Sequence, residues 1–330
     1  MNQISLTGIK PTGTPHLGNY LGSIRPALEI AKSANTKGFY FIADYHSLTS
    51  VHSGEQLRSD IYEVAATWLA CGLDPKNVTL YKQSDIAEIL ELNWILSCFC
   101  AKGLMNRAHA YKSKSSVNVN DGRDIDHGIN LGLYGYPVLM AADILILNSD
   151  IVPVGSDQLQ HVEIARDLAN AFNHHYGEVI KLPKAQERDD KLVVGLDGRK
   201  MSKSYNNTIP LFVSEKKLRK LIMKIVTNSL PPEAPKDPNE STIMDLYKMF
   251  ATKTEVEELS KQFLQGIGWG VAKQELFEVV NRELSPYRER YNYFMENKSE
   301  IDQILKQGAS EAKKHASKNL AKIKSKIGVL

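Results

Sequence analysis

Two lysines three residues apart, set among small polar residues, are the first place in this chain of 330 residues where chemistry can be read. Lys200-Met201-Ser202-Lys203-Ser204 follows Gly198 and has the composition of a loop that can move. Such a loop can bring two ammonium groups to a polyphosphate. A phosphoryl-centred transition state leaves a protein mainly positioning and charge stabilisation to perform. Lysine serves there as a mobile point charge, where arginine would impose a rigid fork. Taken alone, the pentapeptide is also compatible with a solvated surface turn.

The elements that must position such a loop follow from the order of apolar segments. Gln3-Ile4-Ser5-Leu6-Thr7 reads as a buried strand, and it runs into the Gly/Pro-rich turn Gly8–Tyr20. After Gly18 the apolar spacing becomes helical through Leu21, Ile24, Leu28 and Ala31. A strand, a turn and a helix N-terminus in that order direct backbone N–H groups at an anion. The turn holds neither a GxGxxG fingerprint nor a P-loop. His16 within it fits either a surface turn or a phosphate-side role.

Gly38–Asp44 reads as a second buried strand, with His46 just past its C-terminal end, where open α/β sheets bind ligands. Ser53-Gly54-Glu55-Gln56 has capping-box spacing and opens a helix to about Cys71, stopped by Gly72. Val78–Tyr81 is a third strand. Asp85, three residues before Glu88, is placed to cap a helix through Trp94 and Phe99. This alternation predicts an α/β fold with a parallel sheet.

The Ser-, Asn-, Asp-, Gly- and Lys-rich stretch from Lys112 to Asn130 reads as a mobile loop, with Lys112 and Lys114 within possible reach of phosphate. Asp143 sits inside the apolar helical run Tyr134–Leu145. A buried carboxylate without a partner is costly, so Asp143 is either satisfied by backbone or a tyrosine hydroxyl, or exposed to a ligand. Ile151–His161 again runs from strand through Gly155 to a helix reaching about Asn173. Ser156 and Asp157 can cap that helix or face a ribose or an amine. His161, Glu163 and Arg166 read as structural or ion-paired, with no HExxH zinc pattern. Leu192-Val193-Val194-Gly195 leads into the lysine loop. Beyond Asn207 the chain is mostly amphipathic helix, broken by Pro231–Pro238 and restarted by a Thr254/Glu257 capping box. The reading is two domains, 1–207 and 208–330, the last helix packing back on the first.

Composition agrees with a cored, membrane-free chain. Hydrophobic residues make up 42% and the formal net charge is +3. No apolar run approaches the roughly 20 residues needed to cross a bilayer. The chain begins directly with a strand, with no signal peptide expected. Cys71, Cys98 and Cys100 have no metal-ligand spacing and read as reduced core residues of a cytosolic protein. Lys313, Lys314, Lys318, Lys322, Lys324 and Lys326 read as a solvated helix face.

His16-Leu17-Gly18-Asn19 resembles the first class I aminoacyl-tRNA synthetase signature, usually His-Ile-Gly-His, and Lys200–Ser204 resembles the second. Pro153–His161 and Leu139–Leu145 are more specific still, and the four segments in this order are similar to bacterial-type tryptophanyl-tRNA synthetases. The resemblance covers most of the chain up to Tyr205.

It implies a Rossmann-like parallel sheet flanked by helices, followed by an all-helical domain that binds tRNA. It also implies ATP-dependent activation of L-tryptophan and its transfer to tRNA(Trp). Lys200, Lys203 and Asn19 would be catalytic. Lys10, Pro11, Thr12, Gly18, Asn19, Gly155, Ser156, Asp157, the backbone at Leu192, and Lys200, Met201, Ser202, Lys203 and Ser204 would contact ATP. Tyr136, Met140, Asp143 and Gln158, with His46 and Val152 nearby, would hold tryptophan. Mg2+ would be carried by the phosphates, with no metal site on the protein. A cytoplasmic homodimer is implied, with no membrane or DNA partner. Many members have glutamine where Lys10 stands, which leaves the division of phosphate contacts open.

Within that resemblance, Asp143 one turn after Met140 is suited to accept an indole N–H. Phenylalanine would then leave the carboxylate unpaired, a penalty of roughly 10⁴–10⁵. The alternatives are a tyrosyl-tRNA synthetase, a small nucleotidyltransferase and a non-catalytic RNA-binding paralogue.

Overall fold

Gly38-Phe39-Tyr40-Phe41-Ile42 is apolar without alternation, as a strand covered on both faces must be, and it lies inside the sheet. The computed structural model describes residues 3–11, 13–32, 35–187 and 192–330. Five parallel strands occur in the order β3-β2-β1-β4-β5. They are β1 (Gln3–Ile9), β2 (Thr36–Ile42), β3 (Val78–Lys82), β4 (Ile151–Val154) and β5 (Lys184–Glu187). β1 pairs with β2 from Gln3↔Thr36 to Ile9↔Ile42 and meets β4 at Ser5↔Ile151. The chain order reverses between β1 and β4, which opens a crevice beyond their C-terminal ends.

One face of the sheet is covered by helices Ala87–Ser97, Leu131–Ile146 and Leu159–Tyr176, around Phe39, Phe172, Leu92 and Ile144. On the other face Tyr40 and Trp68 join a cluster that continues without a break into Tyr247, Phe263 and Leu276 of the helical C-terminal region. Every strand among the described residues precedes Asn207. The Pro231–Pro238 break is ordered by Lys236, whose Nζ donates to the carbonyls of Pro231 (2.8 Å), Pro232 (3.1 Å) and Ala234 (2.8 Å). No helix among the described residues is long and apolar enough to cross a membrane.

The last helix, Lys298–Ile327, lies against the edge strand β3 and covers it. Its Asn319 Nδ2 donates to the Ile146 carbonyl at 2.8 Å, and Lys37–Glu311 and Lys324–Glu91 pair across it at 2.7 and 3.0 Å. The approach is closest at Gly308, where a Cβ would stand 1.8 Å from the Leu80 carbonyl oxygen. Of the terminal lysines, Lys324 thus makes an interhelical ion pair; Lys314 reaches only Glu311, at 3.5 Å on the same helix.

Several local expectations are corrected. The stretch from Lys112 to Asn130 is not a loop throughout, because His109–Asn120 is a helix carrying Lys112 and Lys114. Gln160 Oε1 accepts the His109 N–H at 2.9 Å, and buried Asn118 donates to the carbonyls of Ile125 and His127 (3.0 and 2.8 Å), anchoring both ends despite the polar composition. Asp85 caps nothing: it ends the short turn Gln83–Asp85 and pairs with Lys82 at 3.2 Å, while Ile86 is the N-cap. The capping box is Thr252/Glu255, two residues before the expected one. The strand β5 was hidden by its polar, exposed sequence. Cys98 is exposed, Cys100 is half-buried and Cys71 is buried, all three being free thiols.

Alanine normally stabilises a helix over glycine by about 1 kcal/mol. At Gly308 the sign should reverse, because the added methyl must displace the β3 backbone, at a cost of about 1–3 kcal/mol. Thermal unfolding should therefore show Gly308→Ala less stable than the parent, while Gly270→Ala, with open space at its Cβ, stays level or rises. An unchanged Gly308→Ala midpoint would contradict this packing.

Candidate active site

Beyond the C-terminal ends of β1, β2 and β4 lies a cavity of 440 Å³. Lys10 follows β1, His46 follows β2, Gln158 follows β4, and helix Leu131–Ile146 supplies Tyr136, Met140 and Asp143. With Val152, all six residues assigned to the amino-acid slot line this one space. Leu6, Phe41, Ala43 and Ile144 make the wall largely apolar. Gly8 leaves room for the Phe41 ring, which a Cβ there would meet at 2.6 Å.

Asp143 is 0% exposed. Its Oδ2 lies 2.9 Å from His46 Nε2, and Gln83 Nε2 donates to Oδ1 and Oδ2 at 2.8 and 2.9 Å. Gln83 Oε1 accepts the Tyr45 N–H at 3.2 Å, so the amide can face the carboxylate only with its NH2 group. Burial pushes the Asp143 carboxyl above its usual range, and donation from His46 and Gln83 opposes that shift. Its partners among the described residues are thus two side chains, where the sequence had allowed the backbone or a tyrosine hydroxyl. Gln83 was missed; the available signal was its place directly after β3, at the same sheet end as His46. Nearby Asp44 is also buried, bracing the turn through the N–H groups of Tyr45 and Ser84, both at 3.0 Å, and through the Ser84 hydroxyl.

Tyr136 is held from behind by His161, with hydroxyl to Nε2 at 2.8 Å. Burial lowers the His161 imidazole to about 4, so it is neutral at pH 7; its Nδ1 meets no hydrogen-bond partner among the described residues. The ion pair on this helix is Glu163–Arg166 at 3.4 Å. Ser156 and Asp157 do not cap it: they form the turn Ser156–Gln158 after Gly155, the N-cap is Gln158, and Asp157 Oδ2 accepts from Gln158 Nε2 at 2.8 Å.

The two lysine- and histidine-bearing segments meet. Asn19 Oδ1 accepts the His16 N–H at 3.0 Å, and the Gly18 N–H points to Met201 Sδ at 3.3 Å. A Cβ on Gly18 would stand 2.9 Å from the His16 ring. Lys203 Nζ stands 3.4 Å from where a Cβ would project from Gly13, whose φ is +78°. Burial, with the Lys203 charge beside it, lowers His16 to about 4. Burial also lowers Lys203 itself, against the pull of Asp60 and Glu63. Lys10 Nζ donates to Thr49 Oγ1 (3.0 Å) and Ser50 Oγ (3.1 Å), and burial lowers its ammonium. The Pro11 carbonyl accepts from Ser47 Oγ at 3.0 Å.

Ser202 Oγ accepts the Ser204 N–H at 3.3 Å. Leu192 and Lys200 are exposed and lie outside the cavity lining, as do Lys112 and Lys114. Thr12 lies outside the described residues.

Residues 2–285 match the family of class I tRNA synthetases for tryptophan and tyrosine (W and Y), and the chain belongs to that family. The tryptophan–tRNA ligase of Neisseria meningitidis is 51% identical over 326 residues, spanning 98% of this chain and 97% of that protein. That of Pseudomonas aeruginosa is 49% identical over 328 residues, spanning 98% of this chain and 73% of that protein. The crystal structure of tryptophanyl-tRNA synthetase from Campylobacter jejuni, complexed with ADP and tryptophan, matches with a TM-score of 0.91 at 44% identity, covering 99% of this chain and 100% of that one. Within the class, the chain is thus a member of the tryptophan–tRNA ligases.

The neutral histidines set a pH dependence. A histidine held near 4 when folded and near 6.5 when unfolded makes the unfolded state bind more protons between those values. Stability is complete above about 6.5 and is lost as pH falls toward 4. Each such group contributes at most about 1.4 kcal/mol per pH unit. The thermal midpoint should drop across this window, and His161→Gln should flatten the drop. Equal slopes for the two proteins would contradict the buried neutral imidazole.

Proposed function

We propose that the cavity binds L-tryptophan and that the adjoining lysine loop drives its activation by ATP, followed by transfer to tRNA(Trp). The observation that carries this reading is the fully buried Asp143 acceptor in an apolar slot, beside a lysine loop that meets the histidine-bearing turn at Gly18 and Met201. An indole N–H is only a donor and a carboxylate only an acceptor. Met140 and Tyr136 would cover the ring, and methionine packs well on aromatics. Gln158, with His46 and Val152 alongside, completes the slot.

In the first step a carboxylate oxygen of tryptophan bonds to the α-phosphorus, and the bond from that phosphorus to the β-phosphate bridging oxygen breaks. Tryptophanyl-adenylate and pyrophosphate result. Lys200 and Lys203 would take up the charge gained by the leaving pyrophosphate, and Asn19 would act beside them. Lys10, Pro11, Thr12, Gly18, the Gly155–Asp157 turn, Leu192 and the loop Lys200–Ser204 would hold ATP. In the second step a hydroxyl of the terminal ribose of tRNA attacks the acyl carbon and AMP leaves. The ammonium and N–H groups lining the phosphate side suit phosphate oxygens, which fits Mg2+ that rides on the phosphates and neutralises their charge.

The helical region 208–330 is assigned to tRNA contact. Lys216, Lys217, Arg219 and Lys220 are exposed on the single helix Glu215–Ile222, which supports binding to a phosphate backbone. A cytoplasmic homodimer is part of this reading. Trp94, 72% exposed on helix Ala87–Ser97, supplies apolar surface that association would cover.

Pyrophosphate exchange into ATP, run separately with tryptophan, tyrosine and phenylalanine, tests the assignment. Tryptophan should support exchange, and the other two poorly. Better exchange with tyrosine would overturn it. Asp143→Ala should damage tryptophan use far more than ATP binding, and near-normal tryptophan kinetics would leave Asp143 a purely structural group. Lys203→Ala should lower the first-step rate strongly with a smaller change in ATP affinity, because its charge matters most as the pyrophosphate bond breaks. Equal losses in both would show uniform binding instead.

A further inference from the structure

The lysine loop is not free-standing. Residues 193–201 form a tight hairpin, in which the Met201 N–H donates to the Val193 carbonyl at 2.8 Å and the Gly195 N–H to the Arg199 carbonyl at 2.7 Å. Its second strand is tied from outside at Met201, by the Gly18 N–H, and more extensively by one buried side chain. Asn207, 2% exposed, accepts the Ser202 N–H on Oδ1 at 2.8 Å and donates through Nδ2 to the Lys200 carbonyl at 3.1 Å and to Asp197 Oδ1 at 2.7 Å. Its own carbonyl accepts the Leu196 N–H at 3.0 Å. The amide therefore has one possible orientation, with every polar group used. Gly195 makes room for it: a Cβ there would stand 2.4 Å from Asn207 Cγ and Nδ2. Asp197 is held from its other side by Arg199 at 2.6 Å, and that guanidinium lies 4.5 Å over the Tyr205 ring.

We propose that Asn207, braced by Asp197, is a positioning residue for the first step: it fixes the peptide groups of Lys200 and Ser202, and through them the ammonium groups of Lys200 and Lys203. The inference rests on the role given to those lysines above. A lysine carries its charge on a flexible stem, so its aim depends on a fixed backbone. Misplacement by about 1 Å can cost on the order of 10²-fold in rate. Asn207 touches no reacting atom, so its effect must pass through the loop.

Asn207→Ala removes the clasp. Asn207→Asp keeps an acceptor for Ser202 but loses the donor to Lys200 and sets a carboxylate against Asp197. Both should lower the rate of pyrophosphate exchange about 10–100-fold, with KM for tryptophan within about twofold. Adding Asp197→Asn to Asn207→Asp rebuilds the side-chain pair in the reverse sense and should recover at least about a third of the loss on a logarithmic scale. In a Lys203→Ala background, Asn207→Ala should add much less than it costs alone, as expected for groups acting through one another. A wild-type rate in Asn207→Ala would overturn the proposal, and so would a fully additive loss or a parallel rise in tryptophan KM. If Asn207→Ala does not fold, Asn207→Asp with and without Asp197→Asn carries the test, and no recovery on adding Asp197→Asn overturns it. A normal rate in Lys203→Ala would instead sink the role of the loop itself, a distinguishable failure.

Discussion

A carboxylate with no solvent exposure, set in an apolar helix, is the constraint around which this molecule is arranged. Such a group is tolerated only when its lone pairs are occupied. Its partners His46 and Gln83 come from just past the ends of β2 and β3, so helix Leu131–Ile146 must lie across both strand ends at one depth. The parallel register that aligns Ile42 with Lys82 ends both strands at one level, and the short helical turn Asp44–Ser47 after β2 carries His46 to the carboxylate that Gln83 meets. Sheet and slot are thus one arrangement. The two partners also change the energetics read from sequence. A ligand without an N–H does not leave Asp143 bare, so the discrimination it imposes should be nearer 10²–10³ than the roughly 10⁴–10⁵ of an otherwise unpaired group.

The cationic half of the site depends on a different kind of control. His16 is kept neutral by burial and by the charge of Lys203. The positive charge near the proposed phosphate side is thereby confined to lysines. The Gly18–Met201 contact joins the segment after β1 to the segment carrying those lysines, across 183 positions of chain.

Much of this was legible in the sequence because it is local. Strand, glycine-bearing turn and helix start follow one another in the first segment and again around Gly155, while the set of slot residues was legible through the resemblance to tryptophanyl-tRNA synthetases. Where reading failed, the deciding contact was distant. Asn118 and Gln160 turn a polar stretch into a helix that composition alone reads as a loop. Gln83 and Asn207 owe their roles to partners that periodicity does not reveal. Thr252 and Thr254 both stand three residues before a glutamate, and only the helix start at Lys253 chooses between them. β5 pairs along Ile151–Val154 through its backbone, which a polar edge sequence does not advertise.

The most direct measurement of the central claim is the ratio of kcat/KM for tryptophan to that for its analogue with ring sulfur in place of the indole N–H. The account predicts a ratio on the order of 10²–10³ for the wild type, falling to about 10 or less in Asp143→Ala. A wild-type ratio near one, or a ratio that Asp143→Ala leaves unchanged, would contradict it.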